Sequence, residues 1–116
     1  MFRQEIKEEL FDLLDQIKHK QIIVEGKRDA GALCLLGFTN IVEIHGIYET
    51  SERLRENEVL ILTDFDREGR EIAKKLNLVL QSLGYKVDRE TRRKIGFLFA
   101  KIHIRKIEEL RGVYNG

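Results

Sequence analysis

The sequence contains no proline, no tryptophan, one cysteine and nine glycines in 116 residues. Without proline and with glycine only at its ordinary frequency, no long linker or low-complexity tract is visible. A single cysteine cannot close an internal disulfide. With three scattered histidines it cannot build a zinc site either. Cys34 lies among Leu33, Leu35 and Leu36 and is expected to be a small buried apolar residue. No apolar run approaches the ~20 residues of a membrane span. No repeat at solenoid spacing is visible. The N-terminal stretch MFRQEIKEELFDLL carries acids inside its apolar pattern, which argues against a secretory leader and for a cytoplasmic protein. The length suits one domain over residues 1–116. Within it we read an N-terminal helix (1–20), a motif-bearing core (21–88) and a basic C-terminal segment (89–116).

Charge is plentiful but unevenly spread. Lys86 to Lys106 holds eight Lys or Arg against two acids, a local +6, which leaves −5 for the rest of a chain of net charge +1. Such a tract is the electrostatic footprint of a nucleic-acid or phosphate surface, or else a solvated helix face. Arg92, Arg93, Lys94, Lys101, Arg105 and Lys106 are the candidates for backbone contact. Phe97 and Phe99 interleave with them and are expected to pack in the interior.

Apolar periodicity predicts a helix over 3–19, a buried strand in QIIVEG, and a helix over 28–36 stopped by Gly37. IVEI at 41–44 reads as a second strand, residues 51–57 as one or two helical turns, and VLILT at 59–63 as a third strand. A helix over 67–83 ends at Gly84. Beyond it, YKVD reads as an edge strand, TRRKIGFLFA as a helix, KIHIR as a short strand and IEELRG as a last helical turn. Alternating strands and helices imply an α/β fold with a mainly parallel sheet of about four strands and helices on both faces.

In such a sheet, ligands bind at the carboxyl ends of the strands. Glu25 ends the first strand, and Asp64 and Asp66 directly follow the third. Three acids at neighbouring strand ends repel one another unless a cation sits among them, and oxygen ligands suit Mg2+ or Mn2+. Lys27, Lys74, Arg67 and Arg70 lie near the same edge, where they could contact phosphates. His45 ends the second strand and is a secondary candidate for phosphate or proton contact.

IIVEGKRDAGAL at 22–33 and ILTDFDREGREIA at 61–73 resemble the two motifs of the Toprim family, shared by topoisomerases, primases and some nucleases. DREG-x-x-IA is closest to the type IA topoisomerase form, and E-G-K-x-D is closer to the 5S ribosomal RNA maturase form. The whole chain resembles small stand-alone Toprim proteins. The resemblance implies a three-layer Toprim-like sandwich. It implies Glu25 as general acid or base, Asp64 and Asp66 as holders of magnesium, and Gly26 and Gly69 as motif glycines. Asp29 matches an acidic position of nuclease-like members. The implied activity is magnesium-dependent phosphodiester chemistry on RNA or DNA, most nearly that of a small nuclease. A nucleic-acid-binding module that depends on a protein partner is the alternative. A small-molecule phosphohydrolase is weaker, because DFDREG lacks a hydroxyl residue after its aspartates. Tyr48, Tyr85 and Tyr114 lack the surrounding domain that a topoisomerase gives its attacking tyrosine.

Overall fold

The structure is a computed structural model that describes residues 2–115. Its elements are α1 (Phe2–Ile17), β1 (Ile22–Val24), α2 (Lys27–Leu35), β2 (Ile41–Glu43), α3 (Ile47–Glu52), β3 (Glu58–Ile61), α4 (Arg67–Ser82), β4 (Lys86–Val87) and α5 (Arg89–Lys101). A 3-10 turn (Ile107–Glu109) and α6 (Leu110–Asn115) follow. The sheet order is β2-β1-β3-β4, with every pairing parallel.

The period-two alternation of the strands divides the core into two layers. Ile22 and Val24 of β1, with Leu60 of β3 and Leu62 just beyond it, pack with α1, α2, α5 and α6 around Leu10, Leu14 and Phe99. Ile23, Val59 and Ile61 face the other way, against Ala73, Leu76 and Leu80 of α4. This is the expected sandwich, with helices on both sides of the sheet. Each fully buried Leu or Ile contributes roughly 2 kcal/mol to that packing. The stripe Ile6, Leu10, Leu14 and Ile17 of α1 is buried within the chain, and α1 lies against α5. No helix is long and apolar enough to cross a membrane.

Gly37 and Gly84 adopt positive φ just past α2 and α4, as helix-stopping glycines do. Four expectations need correction. The short third helix is Ile47–Glu52, not 51–57, because Gly46 (φ 100) breaks the chain after β2 and Thr50 bonds back to it. KIHIR is not a strand: His103 takes the left-handed stop after α5 (φ 60), and the apparent alternation buries Ile102 and Ile104. Cys34 is exposed, since it falls on the outer face at the last turn of α2. Phe97 is exposed while Phe99 is fully buried, two residues being about 200° apart on a helix.

Candidate metal centre

β1 continues through α2 to β2 on one side, while β3 lies on its other side, so the strand order reverses between β1 and β3. The helices that follow these two strands, α2 and α4, pack on opposite faces of the sheet. A crevice therefore opens at the carboxyl ends of β1 and β3, the position where open parallel sheets bind ligands.

Glu25 leaves β1 into this crevice, and its Oε2 accepts the main-chain N–H of Asp64 at 2.8 Å. That bond ties the two strand ends together. Asp64 Oδ1 in turn accepts the N–H of Ile107 at 2.8 Å, from the 3-10 turn of the C-terminal segment. Asp29, in the first turn of α2, is buried and completes the group. One carboxylate oxygen from each of Glu25, Asp29 and Asp64 lies within 4.8 Å of the others. Oxygens held at ~2.1 Å by one octahedral magnesium ion lie ~3.0 Å apart when adjacent and ~4.2 Å apart when opposite, so a bound ion would draw the three carboxylates inward.

Asp66 also serves the fold. It is the N-cap of α4, and its Oδ1 accepts the Gly69 N–H at 2.8 Å. The chain turns into the helix at Arg67 rather than staying extended, so Asp66 stands beside the three clustered carboxylates rather than among them. Gly69 is required here. A Cβ at that position would lie 2.1 Å from the Asp64 carbonyl oxygen. The Gly69 carbonyl also accepts the buried Thr63 hydroxyl at 2.6 Å. Gly26 caps α2 with extended backbone and open space where a Cβ would stand, so nothing within the chain requires a glycine there.

The electrostatics are those of crowded anions. Burial raises the Asp29 carboxyl to about 6, with Asp64, Glu25 and Glu108 adding to the effect. Burial also raises Glu25 and Asp64. The Asp64 N–H partly offsets the rise at Glu25, and the Ile107 N–H does so at Asp64. This donor set is all hard oxygen and fits a divalent cation such as magnesium or manganese.

The family model of the Toprim domain matches residues 20–97. This chain belongs to the Toprim domain family. It is 38% identical over 125 residues to a UPF0292 protein of Methanocaldococcus jannaschii, covering 99% of this chain and 97% of that protein. A UPF0292 protein of Archaeoglobus fulgidus is 36% identical, over 90% of this chain and 89% of its own. Among solved structures, a putative protein from Aquifex aeolicus superposes with a TM-score of 0.74 at 29% identity, covering 88% of this Toprim chain and 95% of its own.

The remaining candidates disperse. Lys27 and Arg67 are exposed at the starts of α2 and α4, and Arg67 pairs with Glu71 at 3.5 Å. His45 is exposed past β2, outside the carboxylate group. Arg105 lies near Asp66, Arg67 and Arg70, and Lys106 is close enough to Asp64 to favour its ionised form. Lys94 instead faces the acidic side of α1. Arg93 pairs with Glu90 at 2.5 Å, and Lys101 sits over the rings of Phe2 and Phe97. Arg92 is the clearest departure from a free phosphate-binding cation. Its guanidinium lies over the Phe65 ring and donates to the carbonyls of Ile61, Thr63 and Asp64 at 3.1, 2.9 and 3.2 Å. The basic tract is therefore not one surface. Sequence reasoning gave no sign of the Ile107 N–H, because a main-chain donor leaves no residue signature.

Proposed function

We propose that this Toprim protein is a metal-dependent enzyme of nucleic-acid phosphodiester cleavage, most nearly an RNA-processing nuclease. The observation that supports it most is the convergence of Glu25, Asp29 and Asp64 at the switch-point crevice. When bound there, magnesium or manganese would withdraw charge from a phosphodiester and help orient it. Asp64 and Asp29 would hold the cation, with Asp66 available through its second oxygen. Glu25 is the residue for proton transfer. Its Oε2 is fixed by the Asp64 N–H, and its raised pKa brings it closer to neutral pH, where an acid or base works best. Arg70 and Arg105 flank the crevice with positive charge suited to a phosphate backbone.

The test is incubation of structured RNA, single-stranded RNA and single-stranded DNA with the full chain in magnesium and in manganese. Cleavage should fall by about two to four orders of magnitude in Glu25→Gln. It should also be lost in Asp64→Asn. Nucleic-acid binding without any cleavage would assign the chain to the binding-module class instead, and turnover of a simple phosphomonoester alone would make it a phosphohydrolase.

A further inference from the structure

A second recess lies apart from the carboxylate crevice. It is a cleft of about 980 Å³ at the free edge of the sheet, walled by α4 on one side and α5 on the other. It exists because α4 and α5 pack on opposite faces of the sheet while the strand between them, β4, is only two residues long. The floor is apolar, from Ile61, Ala73, Val87 and Gly96. The rims are charged, and their pairing is one-sided. The three acids, Glu58, Asp88 and Glu90, are each matched by Lys20, Lys86 or Arg93. Arg70 and Lys74 on α4 and Arg89 on α5 have no ion-pair partner among the described residues. The cleft thus carries uncompensated positive charge above an apolar floor.

The cleft also borders the loop that follows β3 and carries Asp64. Phe65 and Arg70 line both it and the smaller recess that contains Asp66 and Arg105. On α4, Arg67, Arg70, Lys74 and Asn77 follow at helical spacing, so they form one stripe of about 15 Å from the carboxylates outward. The α5 wall is keyed to the same loop. A Cβ at Gly96 would stand 2.8 Å from the Phe65 ring, so the ring occupies the space the missing side chain leaves.

We infer that this cleft is the track for a single strand of nucleic acid leading away from the metal centre, with phosphates on the Arg70, Lys74 and Arg89 rims and bases on the floor. This rests on the proposed phosphodiester activity and assigns its substrate as unpaired at this point. A cationic groove with an apolar floor suits a strand whose base faces are free, whereas a duplex hides those faces and presents only phosphate. At the ~3.4 Å rise of a stacked strand, 15 Å accommodates roughly four nucleotides.

The test is fluorescence anisotropy with a labelled single-stranded RNA of roughly twelve nucleotides, its DNA counterpart and the corresponding duplex, in chelator so that nothing is cleaved. Lys74→Glu and Arg89→Glu should each weaken single-strand binding about tenfold at low salt and flatten its salt dependence. Lys75→Glu makes the same charge change one residue along, outside the cleft, and should cost less than about twofold. All three residues are exposed, so the substitutions should leave the fold intact, which melting temperatures check. Equal losses in all three variants, or none in any, would overturn the track and leave the proposed activity standing. A duplex bound as tightly as the single strand would overturn the single-strand assignment. A wild-type chain that neither binds nor cleaves any nucleic acid would end both.

Discussion

The main-chain N–H of Ile107 donates to Asp64 Oδ1 at 2.8 Å across 43 positions of sequence. A carboxylate at the end of a central strand is therefore oriented by a turn in the C-terminal segment. The neighbouring bond from the Phe65 N–H to the Arg105 carbonyl, at 2.6 Å, fastens the same loop a second time. Ile107→Pro removes the donor and should raise the Asp64 pKa further and weaken manganese binding about tenfold or more. Ile107→Val keeps the N–H and nearly all the buried side chain, so its manganese affinity should stay near wild type. Calorimetric titration of both variants separates the donor from the packing, and equal losses would refute the orienting role.

Metal-free protein should lose stability as pH rises. The Asp29 carboxyl sits at about 6 in the folded chain, above its ordinary value of 3.8. The folded state therefore holds the extra proton in that window, and stability declines from about pH 4 to about pH 6 and stays lower above it. Glu25 and Asp64 are raised as well and act in the same direction. Asp29→Asn should flatten the decline and gain on the order of 1–2 kcal/mol at neutral pH in chelator. Thermal melts at about pH 5 and about pH 7.5 read this directly, and an Asn variant less stable than wild type at the higher pH would contradict it.

Magnesium or manganese should reverse that penalty in wild type. A cation bound by the folded chain alone stabilises it by RT ln(1 + [L]/Kd), about 2.7 kcal/mol at a hundredfold excess over Kd. Protons compete for the same oxygens, so the gain should shrink below about pH 6. An unchanged melting temperature with millimolar metal at neutral pH would count against the site.

Gly69→Ala should be among the most damaging small changes in the chain. Its Cβ would stand 2.1 Å from the Asp64 carbonyl oxygen, a rigid main-chain neighbour. Relief requires α4 to move away from the loop that carries Asp64. We expect a loss of about 2–3 kcal/mol by chemical denaturation together with weakened metal binding. Gly112→Ala, where a Cβ meets nothing within 4 Å, is the control and should be close to neutral.

Much of this was legible in the sequence, for physical reasons. The central strands are short runs of β-branched and aliphatic residues bounded by helices, so their parallel sense followed from alternation. Glu25 and Asp64 were legible because a strand end fixes where the next residue stands. The capping role of Asp66 was not legible, because the same residue type serves as a metal ligand and as a helix cap, and sequence alone does not say where the chain turns. KIHIR was misjudged because two buried isoleucines flanking a left-handed residue mimic the period of a strand. Arg92 looked like its neighbours Arg93 and Lys94. Its destination depends on the length of β4, which composition does not reveal.

That short strand has one further consequence. A sheet edge with free carbonyls invites another chain to add to it, and edge pairing of this kind drives aggregation. Here β4 stops at Val87, and the next acceptors along that edge, the carbonyls of Ile61 and Thr63, are taken by the guanidinium of Arg92. The sheet ends on a cation that occupies those acceptors, so an incoming strand finds a charge where it needs a partner.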